Sequence, residues 1–220
     1  MGKNMLLQII LSLAAIFSAN SHFLSQAQEN KPNVIVIMAD DLGFGDVGPG
    51  GATLIKTPRI DQLAKEGVVL KNFYACANTC TPSRGGLLTG RFPTRLGLAK
   101  DVARPQNNVG LSPDEITTAR VLKDHGYKTA IFGKWHLGHA EEHWPTNHGF
   151  DYFFGVPYSN DMNPFALYRM SQNIEKPVTQ ATLTKRYTDE ALKFIESNKD
   201  DPFFAYIPYN MPHVPLFVSD

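Results

Sequence analysis

The sequence predicts an α/β fold: a mainly parallel mixed sheet flanked by helices. Asn33-Val34-Ile35-Val36-Ile37-Met38 and the stretch PFFAYIP from Pro202 to Pro208 are short, continuous apolar runs. That is how strands covered on both faces read. Segments of helical spacing lie between them, with Ile60, Leu63 and Ala64 on one face of the first and Tyr187, Ala191, Phe194 and Ile195 in the last. Strands alternating with helices argue for parallel pairing.

Each element follows from local signals. The first strand ends at Ala39-Asp40-Asp41 and gives way to a loop holding Gly43, Gly45, Gly48, Gly50 and Gly51. Thr57-Pro58 opens a helix that Gly67 closes. Val68 to Tyr74 reads as a second strand. Thr81 suits an N-cap and Pro82 the first helical position, so a helix is expected from Pro82 to near Gly90, with Cys80 immediately before it. Ser112-Pro113-Asp114-Glu115 has the capping-box pattern and precedes Ile116, Ala119 and Leu122, with Gly126 as the stop. Lys128 to Gly133 reads as a short strand and Leu183 to Ser197 as a helix. Residues 140–182 show no clear period. Rich in aromatics, Pro and Asn, they read as a long structured insertion near the site.

The 220 residues leave room for one or two domains. Twenty-one basic and 21 acidic residues cancel, which argues against a nucleic-acid partner. Lys3, the apolar run from Leu6 to Ala19 and Ser25-Gln26-Ala27 form the three parts of a signal peptide. The expected division is a signal at 1–27 and a mature chain at 28–220. The apolar run is shorter than the roughly 20 residues of a membrane span. Export to a periplasm or the outside is the expectation.

The chemistry-bearing residues cluster in a few segments. Cys80 precedes a helix start, where N–H groups and the dipole favour an anion, and Arg84 follows on the first turn. With Cys76 four residues before it, a disulfide and inert thiols are both open. Asp40 and Asp41 stand at the C-terminal end of a buried strand, where α/β sheets bind ligands. Adjacent carboxylates suit a hard divalent cation, or cap a turn; Asp46 is a weaker acidic candidate. In Gly133-Lys134-Trp135-His136-Leu137-Gly138-His139, Lys134 offers a compact charge to an anion and His136 a proton shuttle. Extended backbone would put both on one side. His213 lies in the stiff run Met211-Pro212-His213-Val214-Pro215, and Ser159 within Tyr158-Ser159-Asn160-Asp161; each is a ligand contact or a turn residue.

Cys80-Thr81-Pro82-Ser83-Arg84, continued by Gly85-Gly86-Leu87-Leu88-Thr89-Gly90-Arg91, resembles the type I sulfatase signature C-x-P-S-R-x-x-x-L-T-G-R. The strand ending in Asp-Asp, G-K-W-H-L-G, G-F-D-Y-F-F-G-V-P-Y-S and P-H-V-P-L resemble further blocks in the same order, from about Lys31 to the last residue. The P-Y-S stretch is most similar to the arylsulfatase A branch. The resemblance implies an alkaline-phosphatase-like fold and hydrolysis of sulfate esters. It implies that a maturation enzyme oxidises Cys80 to formylglycine, whose hydrate attacks sulfur. Asp40, Asp41 and an oxygen of modified residue 80 would bind Ca²⁺, with Mg²⁺ as the alternative. Arg84 would hold the formylglycine, Lys134 would bind the sulfate and His136 would hydrogen-bond the hydrated aldehyde. His213 and Ser159 would contact the substrate, with His213 as the acid for the leaving alcohol.

The family also supplies a second metal-ligand pair, a second lysine and a smaller C-terminal domain further downstream. The resemblance therefore implies the N-terminal portion of a catalytic domain, one that folds poorly and hydrolyses little alone. A phosphonate or phosphodiester hydrolase of the same superfamily is the alternative enzyme. A non-catalytic sulfate or glycan binder is the alternative outside enzymes.

Overall fold

In the computed structural model, residues 31–219 are described; the expected signal peptide lies outside them. Asn33 to Asp220 form one compact unit. A six-stranded sheet runs through it in the order β1-β6-β2-β3-β4-β5. β1 (Val34–Met38), β6 (Phe203–Pro208), β2 (Lys128–Lys134) and β3 (Tyr152–Val156) are mutually parallel. β4 (Leu167–Arg169) and β5 (Gln172–Glu175) add an antiparallel hairpin.

The apolar runs read as doubly covered strands, and for two of them burial agrees. Every residue of β6, and all of β2 after Lys128, is buried. Their side chains alternate between two cores. Ile131, Phe204 and Tyr206 join Leu88, Leu98, Leu111, Trp135 and Phe150 on one face. Helices α2 (Cys80–Thr89) and α3 (Thr118–Asp124) contribute to that core. Phe132, Phe203, Ala205 and Ile207 join Leu183, Tyr187 and Ala191 of α4 (Leu183–Ser197) on the other. β1 has one covered face: Val34, Val36 and Met38 pack on the first core, whereas Ile35 and Ile37 are exposed. α1 (Pro58–Glu66) buries no residue.

Four local readings need correction. Val68 to Tyr74 forms no strand; Val68, Leu70, Phe73 and Tyr74 are exposed, and no neighbouring edge pairs with them among the described residues. α2 begins at Cys80, with Thr79 as N-cap. Thr81 cannot cap, because its hydroxyl donates to the His136 carbonyl (2.8 Å) and accepts from the Ala103 N–H (2.9 Å). Pro82 still lies in the first turn, where no intrahelical N–H is needed. Ser112 starts only a turn: its carbonyl accepts from Glu115 N–H, while the Glu115 carboxylate pairs with Arg91. α3 starts later, capped by Thr117, whose hydroxyl accepts from Arg120 N–H at 3.1 Å. The stretch 140–182 carries β3, β4 and β5.

Glycines set how closely the parallel strands approach near their C-terminal ends. Gly133 stands opposite Gly155 in the β2–β3 register. A Cβ on Gly155 would lie 1.9 Å from the Gly133 carbonyl oxygen, and one on Gly133 would lie 2.0 Å from that of Pro208. Gly133 also has a φ of 138°, which L side chains avoid.

His148 is buried beside Trp135, with ring centroids 5.6 Å apart. Burial, reinforced by the charges of His143 and Arg120, holds its pKa down to about 4. An unfolded histidine titrates near 6.5. Between these values the unfolded chain holds the extra proton, so stability is fully present above about pH 6.5 and declines as the pH falls toward 4. The full effect is about 3 kcal/mol. His148→Leu is expected to flatten the fall in melting temperature over that window. An unchanged slope in thermal melts from pH 7.5 to 4 would remove His148 as its source.

Candidate active site

The site lies where β1 and β2 end and α2 begins. β1 delivers Asp40, whose N–H donates to the Met211 carbonyl at 3.3 Å. Its carboxylate pairs through Oδ2 with Lys134 Nζ and lies 3.3 Å through Oδ1 from Arg84 Nη2. Lys134 is the last residue of β2 and is wholly buried. Its ammonium also lies 3.4 Å from Cys80 Sγ and 3.0 Å from Ser159 Oγ. Arg84, on the first turns of α2, donates through Nη1 to the Lys134 carbonyl at 2.6 Å. This bond ties the helix carrying Cys80 to the strand carrying Lys134.

Burial alone would raise the Asp40 carboxyl, but the neighbouring charges of Arg84 and Lys134 outweigh it and hold the pKa below the ordinary value. Burial, then the Arg84 charge, lowers Lys134 despite Asp40. Two cations facing one buried carboxylate leave the pocket one positive charge in excess. Such a pocket favours an incoming anion, and the N-terminus of α2 adds to the attraction because Thr79 makes no side-chain cap.

The extended backbone that would put Lys134 and His136 on one side does not continue: β2 ends at Lys134, and His136 takes a φ of 57°. His136 is buried, its Nε2 lies 2.9 Å from the Ala103 carbonyl, and its ring meets Tyr158 edge-on. Burial first, then the charges of Lys134 and Arg84, pushes its pKa well below the usual histidine value. The ring is therefore neutral near pH 7. With Nε2 donating to Ala103, Nδ1 is an acceptor, and it is buried without a hydrogen-bond partner. That orphan fits a hydroxyl donor arriving in the site.

His213 closes the opposite side. Its Nε2 lies 3.4 Å from Ser159 Oγ and 3.6 Å from Asp41 Oδ2, and its Nδ1 lies 2.5 Å from the Val214 carbonyl. Asn160 steadies this loop by donating to the Pro215 carbonyl at 3.0 Å. Asp41 has a φ of 61° and an exposed side chain, so the two aspartates diverge: Asp40 faces the cations and Asp41 faces His213. The metal-capable donor atoms that gather within 4.8 Å belong to Asp40, Cys80 and His213. The carboxylates offer oxygens that a hard cation takes, but fewer than its usual six to eight.

Sequence reasoning missed Thr81 as the tie between α2 and His136, and Asn160 as the clamp on the His213 loop. The only sign of either was a polar residue adjacent to a candidate. Asp46 stays outside the cluster, its carboxylate accepting from Gly43 N–H at 3.0 Å. Cys76 and Cys80 are both free thiols, Cys76 exposed and lying against Gly86 of α2.

Comparison with known proteins agrees with this arrangement. Residues 32–220 match the family described as Sulfatase. Arylsulfatase G from Mus musculus is 38% identical over 224 residues, covering 86% of this chain and 42% of the relative. Arylsulfatase A from Bos taurus is 49% identical over 140 residues, covering 63% of this chain and 28% of the relative. The crystal structure of the PsFucS1 sulfatase from Pseudoalteromonas sp. superposes with a TM-score of 0.77 at 31% identity, over 90% of this chain and 47% of that one. The chain thus spans less than half the length of these relatives. Its sheet, with helices on both faces, has the alkaline-phosphatase-like fold of the sulfatase structures it matches. The family match over 32–220, with Cys80 and Arg84 opening one helix beside a buried lysine, places the chain in the Sulfatase family.

Proposed function

We propose that this chain carries the nucleophile-bearing portion of an enzyme that hydrolyses sulfate esters, with Cys80 as the precursor of the nucleophile. The observation behind this is the buried cluster of Cys80, Lys134, Arg84 and Asp40, with its excess positive charge at a helix start. Formylglycine at position 80 would supply, as its hydrate, one hydroxyl to attack sulfur and a second whose deprotonation releases the sulfate. A divalent cation, Ca²⁺ or Mg²⁺, would be held by Asp40 and an oxygen of modified residue 80, joined by Asp41 once its side chain left His213, and would supply charge stabilisation for that chemistry.

The remaining work belongs to side chains. Lys134 donates from Nζ to the sulfate oxygens, where negative charge accumulates in the transition state. Arg84 fixes Asp40 and the end of β2, so that Lys134 and residue 80 keep their spacing. His136 accepts from a hydroxyl at its orphaned Nδ1. His213 stands beside Ser159 on the other side of Lys134, in place to protonate the departing alcohol through Nε2. The partners this reading requires are a sulfate-ester substrate and a formylglycine-generating maturation enzyme. Export, through the signal expected at 1–27, would deliver the protein to a periplasm or the outside. Among the described residues no helix is long and apolar enough to cross a membrane.

Mass spectrometry of the peptide bearing residue 80, isolated from the native host, tests the proposal. The expected mass is that of an aldehyde in place of the thiol. An intact thiol throughout would overturn it and favour a sulfate or glycan binder. Rates on paired aryl sulfate and aryl phosphate esters then separate a sulfatase from a phosphoester hydrolase, with the sulfate expected to be faster.

A further inference from the structure

The loop that carries His213 can do little to fix its own shape. Pro212 and Pro215 lack N–H groups, so the run 211–215 has few backbone donors. Its anchors come from neighbours. The Met211 carbonyl accepts from Asp40 N–H at 3.3 Å. His213 is gripped through both of its backbone groups: its N–H donates to the Asn210 carbonyl at 3.2 Å, and its carbonyl accepts from Asn160 Nδ2 at 3.4 Å. The direction of the ring follows from this backbone and leaves Nε2 3.4 Å from Ser159 Oγ.

Asn210 is held in turn by a helix outside the site. It is 1% exposed, and its Oδ1 accepts from the Tyr187 hydroxyl at 3.0 Å. Tyr187 belongs to α4 and is wholly buried in the second core, edge-on to Phe154 with ring centroids 6.2 Å apart. Neither Asn210 nor Tyr187 takes a role in the chemistry above. Packing alone does not account for the pair, because Asn210 Nδ2 is buried without a hydrogen-bond partner. An apolar side chain would fill the same space with no amide group left unpaired. What the amide adds is direction. Its bond to a rigid phenol fixes residue 210, and with it the carbonyl that holds His213. The placement matters, since a shift of about 1 Å in a reacting group can slow a step about 10²-fold.

We propose that Asn210 and Tyr187 are positioning residues for His213, setting from α4 the point at which the departing alcohol receives its proton. The inference rests on the reading of His213 as the acid given above.

The test is made in the matured enzyme of which this chain is the proposed portion. It compares an alkyl sulfate, whose alcohol needs a proton as it leaves, with nitrophenyl sulfate, whose phenolate needs far less help. The readout is the ratio of the two kcat/KM values, alkyl over nitrophenyl, which a general loss of active protein does not move. His213→Ala is the reference and is expected to lower the ratio about 100-fold. Asn210→Ala is expected to lower it about tenfold. Tyr187→Phe removes only the hydroxyl and is expected to lower it about threefold, which keeps the test open should Asn210→Ala fail to fold. Added to His213→Ala, either change should lower the ratio no further, because both act through the same ring. A ratio unmoved by Asn210→Ala and Tyr187→Phe, or a further drop in the double variants, would overturn the positioning role alone. A ratio unmoved by His213→Ala would instead remove the acid reading beneath it, and this inference with it.

Discussion

In the enzyme of which this chain is proposed to be the nucleophile-bearing portion, Lys134→Ala is expected to lower aryl sulfate turnover by about 10²–10³-fold, the loss typical of removing one preorganised donor from a developing oxyanion. The side chain is wholly buried, and its ammonium lies 3.4 Å from Cys80 Sγ. Asp40 keeps Arg84 as a partner in the variant, so the fold should persist. A second readout does not depend on turnover. Inorganic sulfate bound to the native pocket should raise the melting temperature in proportion to its occupancy, and that rise should vanish in the variant. Lys134→Arg should not restore activity, because a planar fork cannot sit where a compact ammonium fits against Asp40, Cys80 and Ser159. A loss below tenfold, with sulfate protection retained, would take Lys134 out of the anion site.

Gly155→Ala is expected to be strongly damaging for the addition of a single methyl. The new Cβ would stand 1.9 Å from the carbonyl oxygen of Gly133, a backbone atom that cannot swing aside. β2 and β3 would have to separate at Gly133, immediately before Lys134 leaves the sheet. The expected cost is about 3 kcal/mol or more, the range of overpacking in a tightly packed interior. For a unit of this size, a melting temperature about 6–12 °C lower is the corresponding observation. Gly45→Ala is the control, since nothing lies within 4 Å of a Cβ there. A shift for Gly155→Ala no larger than that of Gly45→Ala would show that the strands separate freely at this point.

The two contrasting glycines also show what the sequence could reveal. β6 and α4 were legible because their patterns are local: an unbroken apolar run, and a helical period that matched Leu183–Ser197 at both ends. The segments bearing Cys80, Lys134 and Asp40 were legible as chemistry because each pairs a reactive group with the end of an element. What stayed hidden depends on tertiary partners. Thr81 looks like a cap until His136 and Ala103 claim its hydroxyl. Glu115 looks like a capping-box residue until Arg91 takes its carboxylate. β3 escaped notice because Gly155, a poor strand residue by propensity, is required there by the approach of Gly133. Asp40 and Asp41 are adjacent in sequence, yet a positive φ at Asp41 sends them to different neighbours.

The position of β6 bears on when residue 80 can be reached. Of the six described strands, the one between β1 and β2 comes last in the sequence, so β1 cannot join β2 in the sheet until Phe203–Pro208 has left the ribosome. At synthesis rates of about 5–20 residues per second, the segment bearing Cys80 precedes that strand by roughly 6–25 s. During that interval the thiol is on an open chain, without Asp40 and Lys134 held against it. Afterwards it is enclosed by a lysine, an arginine and a carboxylate. The order of strands in the sheet thus leaves residue 80 open until the middle strand arrives, and encloses it only then.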